Sequence, residues 1–174
     1  NGSVEVRKMI WDDTVEQRVE ALDKIMPMQK DDFLQMFTAI SGKEVTIRLL
    51  DPPLHEFLPS EEKDIEEIAG LLGFTVEKLK QRISDLHEFN PMLGHRGCRL
   101  SVTYPEIAVM QTKAIILAAI EAKRNGVDIH PEIMVPLAGN VKELDYVVNI
   151  IKNTAKELID AEKADIHYLV GTMI

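Results

Sequence analysis

Val45-Thr46-Ile47-Arg48-Leu49-Leu50-Asp51-Pro52-Pro53 reads as a short strand followed by an abrupt stop. The run is β-branched at its start and apolar almost throughout, which is the pattern of a buried strand. Two consecutive prolines then remove backbone donors and forbid continued ladder pairing. Residues 51–60 are therefore expected to form a loop at the C-terminal end of a strand. Arg48 is the anomaly in this stretch. A guanidinium does not lose its proton, so inside a buried strand it must meet an anion or a carboxylate. Two readings stay open at this point: a buried pair with Asp51 or another acid, and a planar fork that clamps phosphate or carboxylate.

Working outward from this strand, the flanks read as helices. Upstream, Thr14 with Gln17 has the spacing of a helix cap. Val15, Val19, Leu22 and Ile25 form a helical stripe that ends near Pro27, and a second helix after Asp31 turns Phe33, Met36, Phe37 and Ile40 inward before Gly42. Downstream come two acidic helices. Ile65, Ile68, Leu71 and Leu72 line the first, which stops at Gly73; Thr75 caps the second, lined by Val76, Leu79, Ile83 and Leu86. Residues 90–99 read as a short, glycine-punctuated basic strand. A helix over 105–126, a strand over 132–135, a helix over 141–161 and a last strand over 167–174 complete the chain. Alternation of this kind argues for parallel βαβ units with right-handed crossovers. Four strands suit either a small doubly wound sheet or half of a (β/α)8 barrel, and periodicity does not decide between them.

The 174 residues carry 20 Lys and Arg against 29 Asp and Glu, a net charge of −9. That balance argues against a nucleic-acid surface, which needs clustered cations. A hydrophobic content of 45% is enough for a real core. Cys98 alone excludes an internal disulfide framework or a thiolate metal cluster. No apolar run approaches the roughly 18–20 residues that span a bilayer. The chain reads as intracellular and reduced, cytoplasmic or, in a eukaryote, organellar. Residues 1–6, Asn-Gly-Ser-Val-Glu-Val, read as a tag or divergent N-terminus ahead of one unit over 7–174.

In a parallel α/β sheet, ligands bind beyond the carboxyl ends of the strands. Arg48 lies at one such end. At a second, His95, Arg96 and Arg99 sit among Gly94 and Gly97, where glycines let a backbone approach a ligand closely. Together the two clusters point to a small anion, which stands out in an acidic chain. His55-Glu56 and His87-Glu88 belong to no HExxH arrangement and read as loop packing or solvated residues. Cys98, flanked by Gly97 and Arg99, could have a depressed pKa, against the simpler reading of a small side chain in a tight turn. No GxxxxGK[ST] or GxGxxG is present, so nucleotide binding by this segment has no support.

The motifs also carry a resemblance. Residues 46–59, Thr-Ile-Arg-Leu-Leu-Asp-Pro-Pro-Leu-His-Glu-Phe-Leu-Pro, resemble the signature of the pyruvate, phosphate dikinase family. Residues 90–100, Asn-Pro-Met-Leu-Gly-His-Arg-Gly-Cys-Arg-Leu, resemble its second signature, and 131–137 and 171–174 fit the two that follow. The likeness runs from about Arg7 to Ile174. It implies a partial (β/α)8 TIM barrel of about four parallel strands with flanking helices. It also implies a phosphotransferase that interconverts ATP, phosphate and pyruvate with AMP, diphosphate and phosphoenolpyruvate through a phosphohistidine. The implied partners are phosphoenolpyruvate or pyruvate and the phosphohistidine domain of the same enzyme. By the same resemblance Arg48 would grip the transferring phosphoryl or the substrate oxyanion, Asp51 would orient that arginine, and Arg96 would hold the substrate's anionic end. Such cations are what phosphoryl transfer demands.

Several family features are missing from these residues. The Arg-Thr-Glu-His motif of the first barrel strand is not supplied by the N-terminus, and the Mg2+-binding glutamate of the complete enzyme follows the Gly-Thr-Met-Ile motif at which this chain stops. The later Asn-Asp pair and the catalytic cysteine are absent too, so Cys98 is not that acid, and no metal ligand is expected here. The chain thus reads as a truncated piece, inactive alone, that either forms homo-oligomers through unpaired strand edges or is part of a larger chain. The competing reading is a non-catalytic anion-binding or assembly module built on the same half barrel.

Overall fold

The computed structural model describes residues 14–50, 61–86, 98, 101–102, 104–136 and 138–173. Within them the order is α1 (Val15–Ala39), β1 (Glu44–Arg48), α2 (Glu62–Leu72), α3 (Val76–Leu86), α4 (Pro105–Arg124), β2 (His130–Val135), α5 (Val141–Glu162) and β3 (Leu169–Thr172). The strands form one parallel sheet in the order β1-β2-β3. Among the described residues three strands stand where about four were expected for the chain. β1 pairs directly with β2, with Val45 opposite Pro131 and Ile47 opposite Ile133, so no strand lies between them. Residues 90–97 lie outside the described set; Cys98, near the end of the expected basic strand, and Ser101 and Val102 just after it are helical.

Each strand alternates. Val45 and Ile47 of β1 are buried while Glu44, Thr46 and Arg48 are exposed. Pro131, Ile133 and Val135 follow suit in β2. The buried face packs on Ile115, Ile116, Ala118 and Ala119 of α4 and on Val147, Ile151 and Ala155 of α5. Burial of each of the larger aliphatic side chains contributes about 1.5–3 kcal/mol. Pro131 is tolerated near the start of the central strand, where its missing N–H interrupts the least of the ladder.

The helix ends follow local chemistry. Thr14 Oγ1 accepts the Gln17 N–H at 3.2 Å and Asn140 Oδ1 accepts the Glu143 N–H at 2.9 Å, which cap α1 and α5. Gly73 ends α2 in the left-handed region at φ 71°. Gly42, at φ 82°, makes the turn from α1 into β1 and donates its N–H to the Asp128 carbonyl at 2.8 Å. That bond sets the start of β1 against the approach to β2.

Some expectations give way. The two helices expected on either side of Pro27 are one continuous α1 of 25 residues. Its two halves meet separate apolar partners, Ala21, Leu22 and Ile25 with Ile107 and Met110, and Phe37 with the main core. That packing outweighs the lost hydrogen bond. Val15 and Val19 are more than a third exposed, and Leu71 is 68% exposed, so the apolar stripes of α1 and α2 are narrower than expected. The helices α2 and α3 hold a small core of their own around Ile65, Ile68, Ala69 and Leu79. No helix among the described residues is long and apolar enough to cross a membrane.

Candidate functional site

The strands run parallel, so their carboxyl ends share one edge. At that edge Arg48 is level with Met134 of β2, and Met134 with Gly171 of β3. Residues level across a parallel sheet point to the same face. Arg48 and Gly171 are exposed and Met134 is half-buried. Among the described residues, nothing lies within 4 Å of where a Cβ on Gly171 would sit. The row Arg48–Met134–Gly171 thus has exposed residues at both ends, one of them an arginine. This corrects the expectation of a buried Arg48. The strand ends at Arg48, and the apolar Leu49 and Leu50 that made the run look buried lie beyond it.

The row below is polar. Thr46 Oγ1 donates to Glu132 Oε2 at 2.8 Å, and Leu169, level with Glu132, is 65% exposed. At the opposite edge Asp128 pairs with His130 at 3.2 Å and Asp165 with His167 at 3.5 Å. The open face thus runs from acid and imidazole at the amino ends of the strands to arginine at their carboxyl ends. Among the described residues no group of three or more His, Cys, Asp or Glu is gathered to hold a metal ion.

Backbone contacts hold the cationic edge. Leu49 donates its N–H to the Met134 carbonyl at 3.0 Å, and Thr172 Oγ1 donates to the Val135 carbonyl at 2.9 Å. Cys98 donates its N–H to the Pro136 carbonyl at 2.8 Å, which ties the second motif to the end of β2. Leu50 donates its N–H to Gln111 Oε1 of α4 at 3.0 Å. Nearby, Arg18 of α1 pairs with Glu106 of α4 at 3.4 Å and stacks on Tyr104, 5.1 Å from the ring centroid. Arg18 and Glu106 are each about 85% buried, which locks the starts of α1 and α4 together.

Of the residues singled out from the sequence, Arg48 and Cys98 are placed at this edge. Asp51, His55, Glu56, His87, Glu88, His95, Arg96 and Arg99 lie outside the described residues. Cys98 is fully buried, and burial, then the Glu143 carboxylate, push its thiol up rather than down. Both effects disfavour a reactive thiolate at this position. Gln111 was missed. Its signal was a polar residue on the Ile107, Ala108, Ala114, Ile115 face of α4, where a buried amide needs a partner.

Comparison with known proteins gives a consistent set of likenesses. The family described as PEP-utilising enzyme, PEP-binding domain, matches residues 5–174. The pyruvate, phosphate dikinase of Clostridium symbiosum is 51% identical over 172 residues, which covers 98% of this chain and 20% of that protein. That of Rhizobium meliloti (strain 1021) is 52% identical over 170 residues, 97% of this chain and 19% of the relative. The chloroplastic enzyme of Mesembryanthemum crystallinum is 49% identical over 173 residues, 97% and 18% respectively. The chain spans about a fifth of the length of these relatives.

Proposed function

Because this chain belongs to the PEP-utilising enzymes, as part of their PEP-binding domain, we propose that it forms part of a pyruvate, phosphate dikinase. Its three parallel strands are then one side of a (β/α)8 barrel, and the open face that carries Thr46, Arg48 and Met134 is the barrel interior. The reaction is transfer of the phosphoryl group of phosphoenolpyruvate to a histidine on another domain of the enzyme, and its reverse. The P–O bond to the enol oxygen breaks, a P–N bond to imidazole forms, and the enolate left behind takes a proton to become pyruvate.

The observation that carries this reading is the place of Arg48. It ends β1 on the exposed face at the carboxyl edge, where such folds bind ligands, in one row with Met134 and Gly171. A guanidinium there meets the negative charge of a phosphoryl group with two parallel donors. Asp51 orients it and Arg96 holds the substrate's anionic end, as the motif resemblance implies. Charge develops on the phosphoryl oxygens and on the departing enolate, and fixed cations stabilise both.

The test is a comparison of half-reactions in the dikinase that carries this segment. Arg48→Ala and Arg96→Ala should abolish exchange between phosphoenolpyruvate and pyruvate while phosphorylation from ATP continues. Loss of both half-reactions would show that these residues serve folding rather than the substrate.

A further inference from the structure

We propose that Gln111 is a positioning residue for the anion-binding end of β1, acting through the Leu50 peptide without touching substrate. This rests on the dikinase reading above. At Leu49 the N–H is still taken by the sheet, through the Met134 carbonyl at 3.0 Å. The next N–H, that of Leu50, lies past the ladder, and the Gln111 side-chain carbonyl takes it at 3.0 Å across 61 residues of sequence. The side chain thus replaces a strand for one more peptide.

Packing alone does not ask for glutamine here. Gln111 is 7% exposed on a helix face otherwise built of Ile107, Ala108, Ala114 and Ile115. An apolar residue of equal volume would fill the space without desolvating an amide. What the amide adds is direction, because the bond fixes the plane of the Leu49–Leu50 peptide. The Leu50 side chain packs against the cluster of Leu22, Ile25, Ile107 and Met110. Both α1 and α4 therefore set the angle at which the chain leaves Arg48 and enters Asp51. Release of that peptide tilts the strand end that presents the guanidinium, and small misplacements of a group that stabilises a transition state are expensive in rate.

In the dikinase, Gln111→Met removes the acceptor at nearly constant volume, and Gln111→Glu keeps an oxygen at the same reach. The expected result for Gln111→Met is a fall in kcat for the phosphoenolpyruvate half-reaction of about tenfold to a hundredfold. KM for phosphoenolpyruvate should stay close to its starting value, phosphorylation from ATP should be unchanged, and Gln111→Glu should recover most of the rate. A change in melting temperature alone, or equal losses in both half-reactions, overturns the proposal. Gln111→Asn, too short to reach Leu50, carries the same expectations should the methionine variant not fold. Arg48→Ala is assayed alongside. If it leaves the phosphoenolpyruvate half-reaction intact, the dikinase site is wrong and the role of Gln111 goes with it. If Arg48→Ala is inactive and Gln111→Met is neutral, only the role of Gln111 is lost.

Discussion

Burial of Cys98 has a measurable consequence in pH. Its thiol is held above the usual range by desolvation, with the Glu143 carboxylate adding to the effect. The folded chain then binds that proton more tightly than the unfolded chain does. The resulting stabilisation is fully present below the unfolded thiol pKa of about 8.5 and is lost as pH rises beyond it. Urea unfolding followed from about pH 7 to pH 10 should show a decline in stability that Cys98→Ala reduces. Iodoacetamide should label Cys98 slowly in the folded protein and quickly after unfolding; rapid labelling of the folded state would contradict its burial. Arg48 teaches a related lesson. Its neighbours Leu49 and Leu50 made it look interior, yet Leu49 is the buried one and Arg48 faces outward. The anion-binding proposal rests on the place of this exposed guanidinium at the carboxyl edge of the sheet.

At the scale of elements, β2, α4 and α5 were legible to within a few residues, because their patterns are bounded by Pro105, Gly126, Pro136 and Gly139. α1 was not. Pro27 signals a break locally, and the apolar contacts with α4 that carry the helix through it involve residues about 80 positions away. Replacing Pro27 with Ala should restore the missing backbone bond and raise stability by about 1–3 kcal/mol, as read from urea denaturation. A loss of stability would mean that α1 needs a bend there to reach both cores. The Leu50–Gln111 bond was equally invisible, since nothing near either residue marks the other as its partner. The basic motif gave the reverse problem. Its glycines and arginines were plain in the sequence, but a short strand was the wrong form for its end, where Cys98 is helical.

For the molecule as a whole, the sheet is the deciding feature. β1 and β3 are each paired on one side only among the described residues, and the open face carries the exposed Leu169. Unpaired edges of parallel strands template further pairing. Sedimentation of the 174-residue chain at micromolar concentration should therefore show dimers or larger species, and a monodisperse monomer would contradict that expectation. The sequence motifs foresaw a parallel α/β unit with Arg48 at the carboxyl end of a strand; the alternation of β1 supplied what they did not, namely the face to which Arg48 points. The central claim is that Arg48 handles the phosphoryl group of phosphoenolpyruvate at this edge. Its most direct test is the pair of half-reactions in the dikinase bearing Arg48→Ala. The expected result is loss of phosphoryl exchange between phosphoenolpyruvate and pyruvate with phosphorylation from ATP retained, and full retention of the phosphoenolpyruvate half-reaction would contradict it.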